Sequence, residues 1–172
     1  MNDLRIYEEM AYKPKNMRSI LGVKQERLRG WRAIWDPYLP DRKWPESGIE
    51  EIKLRSEYSG RDLLAFRVLM TLIDVKGVDP KKVNRTRRKD LKSLFEFCRR
   101  KTVKEIRDSK VAYNSTRETL KITSLDEPYD INDLETVEIP LKLVYSAHLV
   151  ALDEDTSEDA ESNVTYIREE LK

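Results

Sequence analysis

Glycine and proline punctuation limits the first third of this chain to short helices joined by tight turns. Pro14 suits the first turn of a helix, where its missing amide hydrogen would have no helical partner and its fixed φ already matches the helix. Met17, Ile20 and Leu21 follow at three- to four-residue spacing, as one buried helical face requires, and Gly22 supplies a residue able to take the left-handed conformation that ends a helix. Val23 then plugs the core. Residues 24–34 read as a second helix with Leu28 and Trp31 on its inner face, which turns Lys24, Gln25, Arg29 and Arg32 outward. The pattern is helix, turn, helix. Pro37, Pro40 and Pro45, together with Gly48, forbid a further helix at once and leave residues 36–57 as a long irregular connection, in which residues 49–54 suit one strand of a hairpin.

Helix resumes near Ser59, an N-cap with Asp62 three residues on. Leu63, Leu64, Phe66, Val68, Leu69, Leu72 and Ile73 make that helix strongly apolar until it stops before Gly77. A short helix starts at Pro80, and residues 90–106 carry Leu91, Leu94, Phe95, Cys98 and Ile106 at the spacing of a fifth. Beyond residue 108 the texture changes to β-branched residues, turn residues and acids. Residues 119–124 and 137–152 read as strands and residues 164–167 as a third, the alternative for the second being a helix that starts at Pro140 and runs to Leu152. The single cysteine, Cys98, sits where a small core residue fits, and the single histidine, His148, lies in an apolar stretch where a hydrogen-bonded core histidine is expected rather than a metal ligand.

Charge divides the chain sharply. Residues 1–110 hold 28 Lys and Arg against 17 Asp and Glu, a net of +11, whereas residues 111–172 hold 5 against 15, a net of −10. A surface for a polyanion therefore belongs to the first part. No stretch has the roughly 18 apolar residues of a membrane-spanning helix, and acids stand at the N-terminus where a signal peptide carries bases, so a cytoplasmic location is expected.

One constellation goes further. Ile20-Leu21-Gly22-Val23, then Leu28-Arg29-Gly30-Trp31, a proline-bearing connection, Tyr58-Ser59 followed by Asp62-Leu63-Leu64, and a helix closing at Gly77-Val78 fall in the order found in the DNA-binding domain of the MerR family and its excisionase-like relatives. The resemblance covers residues 14–84. It implies a winged helix-turn-helix in which Lys24, Gln25, Arg27, Arg29 and Arg32 of the second helix contact DNA, while Arg42, Lys43, Arg55 and Tyr58 of the wing meet the phosphate backbone. The chain departs from that pattern in its longer wing, with Trp44 and Pro45 at an inserted tip, and in the arginine before the tyrosine, displaced to Arg55 with Glu57 intervening. Residues 90–106 also do not continue into the long coiled coil typical of the family.

The expected fold is thus α+β. Residues 1–84 form a winged helix-turn-helix, residues 85–108 a connecting or dimerising helix, and residues 109–172 a small acidic part containing antiparallel β-structure. The expected function is sequence-specific binding of double-stranded DNA by a homodimer, as a MerR-like transcription regulator; the alternatives are a DNA-site-marking assembly protein, excisionase-like or like the small subunit of phage packaging enzymes, and an antitoxin-like module whose acidic region meets a protein partner. One histidine, five glycines without a phosphate-binding loop and no nucleophile motif point away from catalysis, and no cofactor or metal is expected.

Overall fold

The computed structural model describes residues 12–40, 57–128, 130 and 132–156. Its first helix, α1 (Pro14–Leu21), buries Met17, Ile20 and Leu21 and ends where Gly22, at φ 68°, donates its amide to the carbonyl of Arg18. After the turn, α2 (Gln25–Trp35) buries Leu28, Trp31 and Trp35, with Lys24 as its extended N-cap, and runs into a short 3-10 turn (Asp36–Tyr38).

The centre of the molecule is α3 (Gly60–Asp74). Apolar residues occupy every side of it, so it must be covered all round, and Leu63, Leu64, Ala65, Phe66, Val68, Leu69 and Leu72 are buried. Its start is fixed by a reciprocal cap: the Ser59 hydroxyl accepts from the Asp62 amide at 3.1 Å, and the Asp62 carboxylate accepts from the Ser59 amide at 3.0 Å. Aromatic contacts bind the neighbours to it. Trp31 stacks on Trp35 at 5.1 Å, and Phe66 meets Trp35 and Phe95 edge-on at 5.5 and 5.7 Å.

Then come α4 (Pro80–Asn84), α5 (Arg88–Arg100) and α6 (Val103–Arg107). The expected single helix over residues 90–106 is thus two. Thr102 makes a new cap with Glu105, and Arg61 donates to the carbonyls of Cys98 and Lys101 at 3.2 and 2.6 Å, closing the end of α5. The apolar side of α5, which a dimerising helix would need to offer, is buried against α3.

The sheet has the order β2-β1-β3, with β1 (Ser109–Asn114), β2 (Thr119–Ser124) and β3 (Thr136–Pro140) all antiparallel. Val111 pairs with Ile122 and Ile139, and Tyr113 with Leu120 and Val137, giving one apolar face turned to the core. The strand expected over residues 137–152 is corrected. It ends at Pro140, and α7 (Leu141–Thr156) follows, because Leu141, Val144, Tyr145, His148 and Leu152 share a helical face that is buried as α7 packs on α1 and α3. The strand over residues 109–114 was not foreseen. The proposed hairpin at 49–54 and strand at 164–167 lie outside the described residues.

One core cluster runs from Tyr12 to Leu152, so the expected divisions after residues 84 and 108 do not interrupt the packing. No helix among the described residues is long and apolar enough to cross a membrane.

Candidate nucleic-acid interface

Three turns of α2 and two of α1 set the geometry. Burying Leu28, Trp31 and Trp35 leaves Gln25, Arg29 and Arg32, spaced four and three residues apart, along one outer side of α2; burying Met17, Ile20 and Leu21 turns Lys15 and Arg18 outward on α1. These two sides converge on an open groove of about 350 Å³ lined by Pro14, Lys15, Arg18, Gln25, Leu28, Arg29 and Arg32. Four cations and one amide line it, and among the described residues no carboxylate does. Gln25 and Arg29 are exposed, and none of Lys15, Arg18, Lys24 and Arg29 has an ion-pair partner among the described residues.

Arg32 is held rather than free. Its Nε donates to the Tyr58 hydroxyl at 2.9 Å, and its guanidinium carbon lies 5.6 Å from the centre of the Tyr58 ring. The Tyr58 hydroxyl in turn donates to Asp36 Oδ1 at 2.6 Å. Both Tyr58 and Asp36 are buried, and burial, reinforced by the carboxylate of Asp36, pushes the Tyr58 phenol far up, so it stays protonated. The backbone of Tyr58 is also tied, through paired hydrogen bonds with Tyr12 at 2.7 and 2.9 Å. The expectation that Tyr58 meets a phosphate is therefore corrected: its hydroxyl points into the protein, where it orders Arg32.

Arg27 faces away from the groove. It makes a two-pronged ion pair with Asp74 at the end of α3, Nη1 to Oδ2 at 3.0 Å and Nη2 to Oδ1, and its guanidinium lies 4.3 Å from the ring centre of Trp31. It clamps α2 to α3 and does not line the groove. Lys24 is exposed at the N-cap, beside the groove. Arg42, Lys43 and Arg55 lie outside the described residues.

Sequence reasoning missed Lys15 and Arg18. The signal was present, since the spacing that puts Met17, Ile20 and Leu21 inside puts these two outside. It also missed the tie behind the turn. Arg67 of α3 donates from Nη2 to the carbonyl of Ile20 at 2.6 Å, on the last turn of α1, and from Nε to His148 Nδ1 at 3.1 Å. With Nδ1 accepting, the network assigns the proton to Nε2, which donates to the carbonyl of Gly60 at 2.7 Å. Burial, with the Arg67 charge added, lowers the His148 pKa to about 3 and keeps the ring neutral. His148 is thus a fully hydrogen-bonded core residue, on a helix rather than the expected strand. Cys98 is buried too, and burial pushes its thiol up to about 12.

No family model, curated protein or solved structure matches this chain.

Proposed function

We propose that this chain is a sequence-specific binder of duplex DNA, in which α1, the Gly22 turn and α2 act as a helix-turn-helix and α2 reads the major groove. The observation that carries this reading is the groove where Lys15, Arg18, Gln25, Arg29 and Arg32 converge, with no carboxylate lining it among the described residues. A helix with its side chains is roughly 10–12 Å across and a major groove about 12 Å wide, so one fits the other. Gln25 and Arg29 then carry the donors suited to adenine and guanine edges, and Lys15 and Arg18 suit the flanking phosphates. The MerR-like order of landmarks over residues 14–84 agrees with this assignment, and residues 41–56 stand where a wing would follow.

The role that goes with it is transcription regulation by two copies on a palindromic site, since one reading helix offers little surface and specific sites usually come in pairs. With the apolar side of α5 buried, such a pair must use another surface.

Selection of bound sequences from a random duplex library, with the wild type and with Arg29→Ala, tests the assignment. The wild type should enrich a motif, and Arg29→Ala should lose discrimination at one base position by about 1–3 kcal/mol. No enrichment, or enrichment unchanged by Arg29→Ala, would refute it. Mapping the motif beside recombination or packaging sites rather than promoters would turn the role from regulation to assembly.

A further inference from the structure

The basic charge of the first 110 residues is not concentrated on the α1–α2 groove. Residues 12–40 hold 7 Lys and Arg against 2 Asp and Glu, a net of +5, while residues 81–107 hold 12 against 3, a net of +9. Helix α5 sorts these charges. Leu91, Leu94, Phe95 and Cys98 are buried against α3, so the opposite side is left to solvent, and Lys89, Lys92 and Arg100 are exposed there within an arc of roughly 80°. Arg87 is exposed just before the helix and Lys101 just after it. Arg87, Lys89, Lys92 and Arg100 have no ion-pair partner among the described residues.

The acids of this helix do little to neutralise that side. Asp90 accepts a hydrogen bond from the Leu120 amide at 3.0 Å, and half-buried Glu96 stands between Lys92 and Arg100 as the one acid of the arc.

The chemistry of the face selects the class of polyanion. An amphipathic helix that lies on a membrane needs an apolar sector to insert, and that of α5 is consumed in the core. A single-stranded nucleic acid is held by aromatic rings on which bases stack, whereas Phe95 is buried and Phe97 packs against the core. What remains is a row of solvated cations interrupted by Glu96. Along 13 residues it is about 20 Å long, a length over which a duplex presents about a dozen phosphate charges.

We infer that the exposed side of α5, with Arg87 and Lys101 at its ends, is a second binding surface, which takes the phosphate backbone of a duplex without regard to sequence. The inference goes beyond the α1–α2 reading and does not depend on it. Each phosphate contact adds about −0.9 to the slope of log affinity against log salt, which amounts to roughly eightfold in affinity at 0.1 M salt.

The test is a salt titration, over about 50–200 mM, of binding to a fluorescein-labelled random-sequence duplex of about 30 base pairs. The wild type is compared with the triple variant Lys89→Gln, Lys92→Gln, Arg100→Gln, and thermal unfolding checks that this variant is folded. The slope should become shallower by up to about 2.7, and affinity at 0.1 M salt should fall at least roughly tenfold. Slope and affinity equal to the wild type overturn the proposal, as does binding to phosphatidylserine vesicles under conditions where the duplex is not held. Gln25 and Arg29 are untouched in this variant, so its outcome is separate from that of the library selection. Loss of duplex affinity in the triple variant without any enriched motif in the wild type would support the α5 surface and sink only the groove reading.

Discussion

Lowering the pH from 7 to 5 should cost this fold about 2 kcal/mol through His148 alone. The ring is buried between α7 and α3, with Arg67 Nε donating to one nitrogen and the Gly60 carbonyl accepting from the other, so a second proton has no acceptor and would sit against a guanidinium. Burial and that charge lower the pKa from 6.5 to about 3. Above pH 6.5 the ring is neutral whether folded or unfolded, and the group leaves stability independent of pH. Below it the unfolded chain takes up a proton that the folded one refuses, so stability falls by about 1.4 kcal/mol per pH unit until the folded pKa is reached. From 6.5 down to 5 that gives about 2 kcal/mol. Urea denaturation of the wild type and of His148→Gln at both pH values isolates the group, because carboxylates elsewhere contribute equally to both proteins. His148→Gln should start less stable at pH 7 and lose about 2 kcal/mol less on acidification. Equal losses would refute the buried neutral histidine and with it the described junction of α7, α3 and α1.

Two further outcomes test the candidate site from inside. Tyr58→Phe removes the hydroxyl between Arg32 and the buried Asp36, and should cost about 1.5–3 kcal/mol in urea denaturation at pH 7, the range for hydrogen bonds to charged groups; a loss below about 0.5 kcal/mol would mean the hydroxyl orders nothing. Gly22→Ala meets no atom within 4 Å of the added Cβ, so its cost is conformational, about 1–2 kcal/mol for φ 68°, and an unchanged thermal midpoint would exclude the left-handed turn.

The elements legible in the sequence are those whose signals are local. Pro14, Gly22, the Ser59-Asp62 cap and Pro80 each act within a turn of where they stand, and α1, α2, α3 and α4 begin or end there. The stretch from residue 137 to 152 failed that test because leucines, valines and Tyr145 crowd it. Leu143 and Val150 are exposed on α7, which blurs the period, and only packing on α1 and α3 decides between strand and helix. The site divides the same way. Nothing near Arg27 distinguishes it from Arg29; what does is Asp74, 47 residues further on, which takes Arg27 out of the groove's lining. Tyr58 and Asp36 likewise meet 22 residues apart in sequence, and both are buried. Lys110 on β1 is buried although charged, because the Glu138 carboxylate and the Glu127 carbonyl, 28 and 17 residues further on, converge on it at 2.7 and 2.5 Å.

The opposite charges of the two halves suggest an acidic tail laid over a basic head, but among the described residues the contacts that dock α7 are of another kind. Helix α7 docks on α1 and α3 through Leu141, Val144, Tyr145, His148 and Leu152, all buried, and of the ion pairs across the division Arg85 with Glu118, at 2.8 Å, lies on the surface while Lys110 with Glu138, at 2.7 Å, is a local pair between the neighbouring strands β1 and β3. Exposed pairs of that sort contribute at most about 1 kcal/mol, whereas burying one leucine or valine contributes about 1.5–3 kcal/mol. Apolar packing therefore holds α7 in place, and Lys15, Arg18 and Arg29 have no ion-pair partner among the described residues. One buried cluster includes residues of both halves. Removing everything after Asp108 would strip α7 from α1 and α3 and leave Arg67 without His148, so the basic half should lose the packing behind its turn, which thermal unfolding of the truncated chain would show as a lowered midpoint.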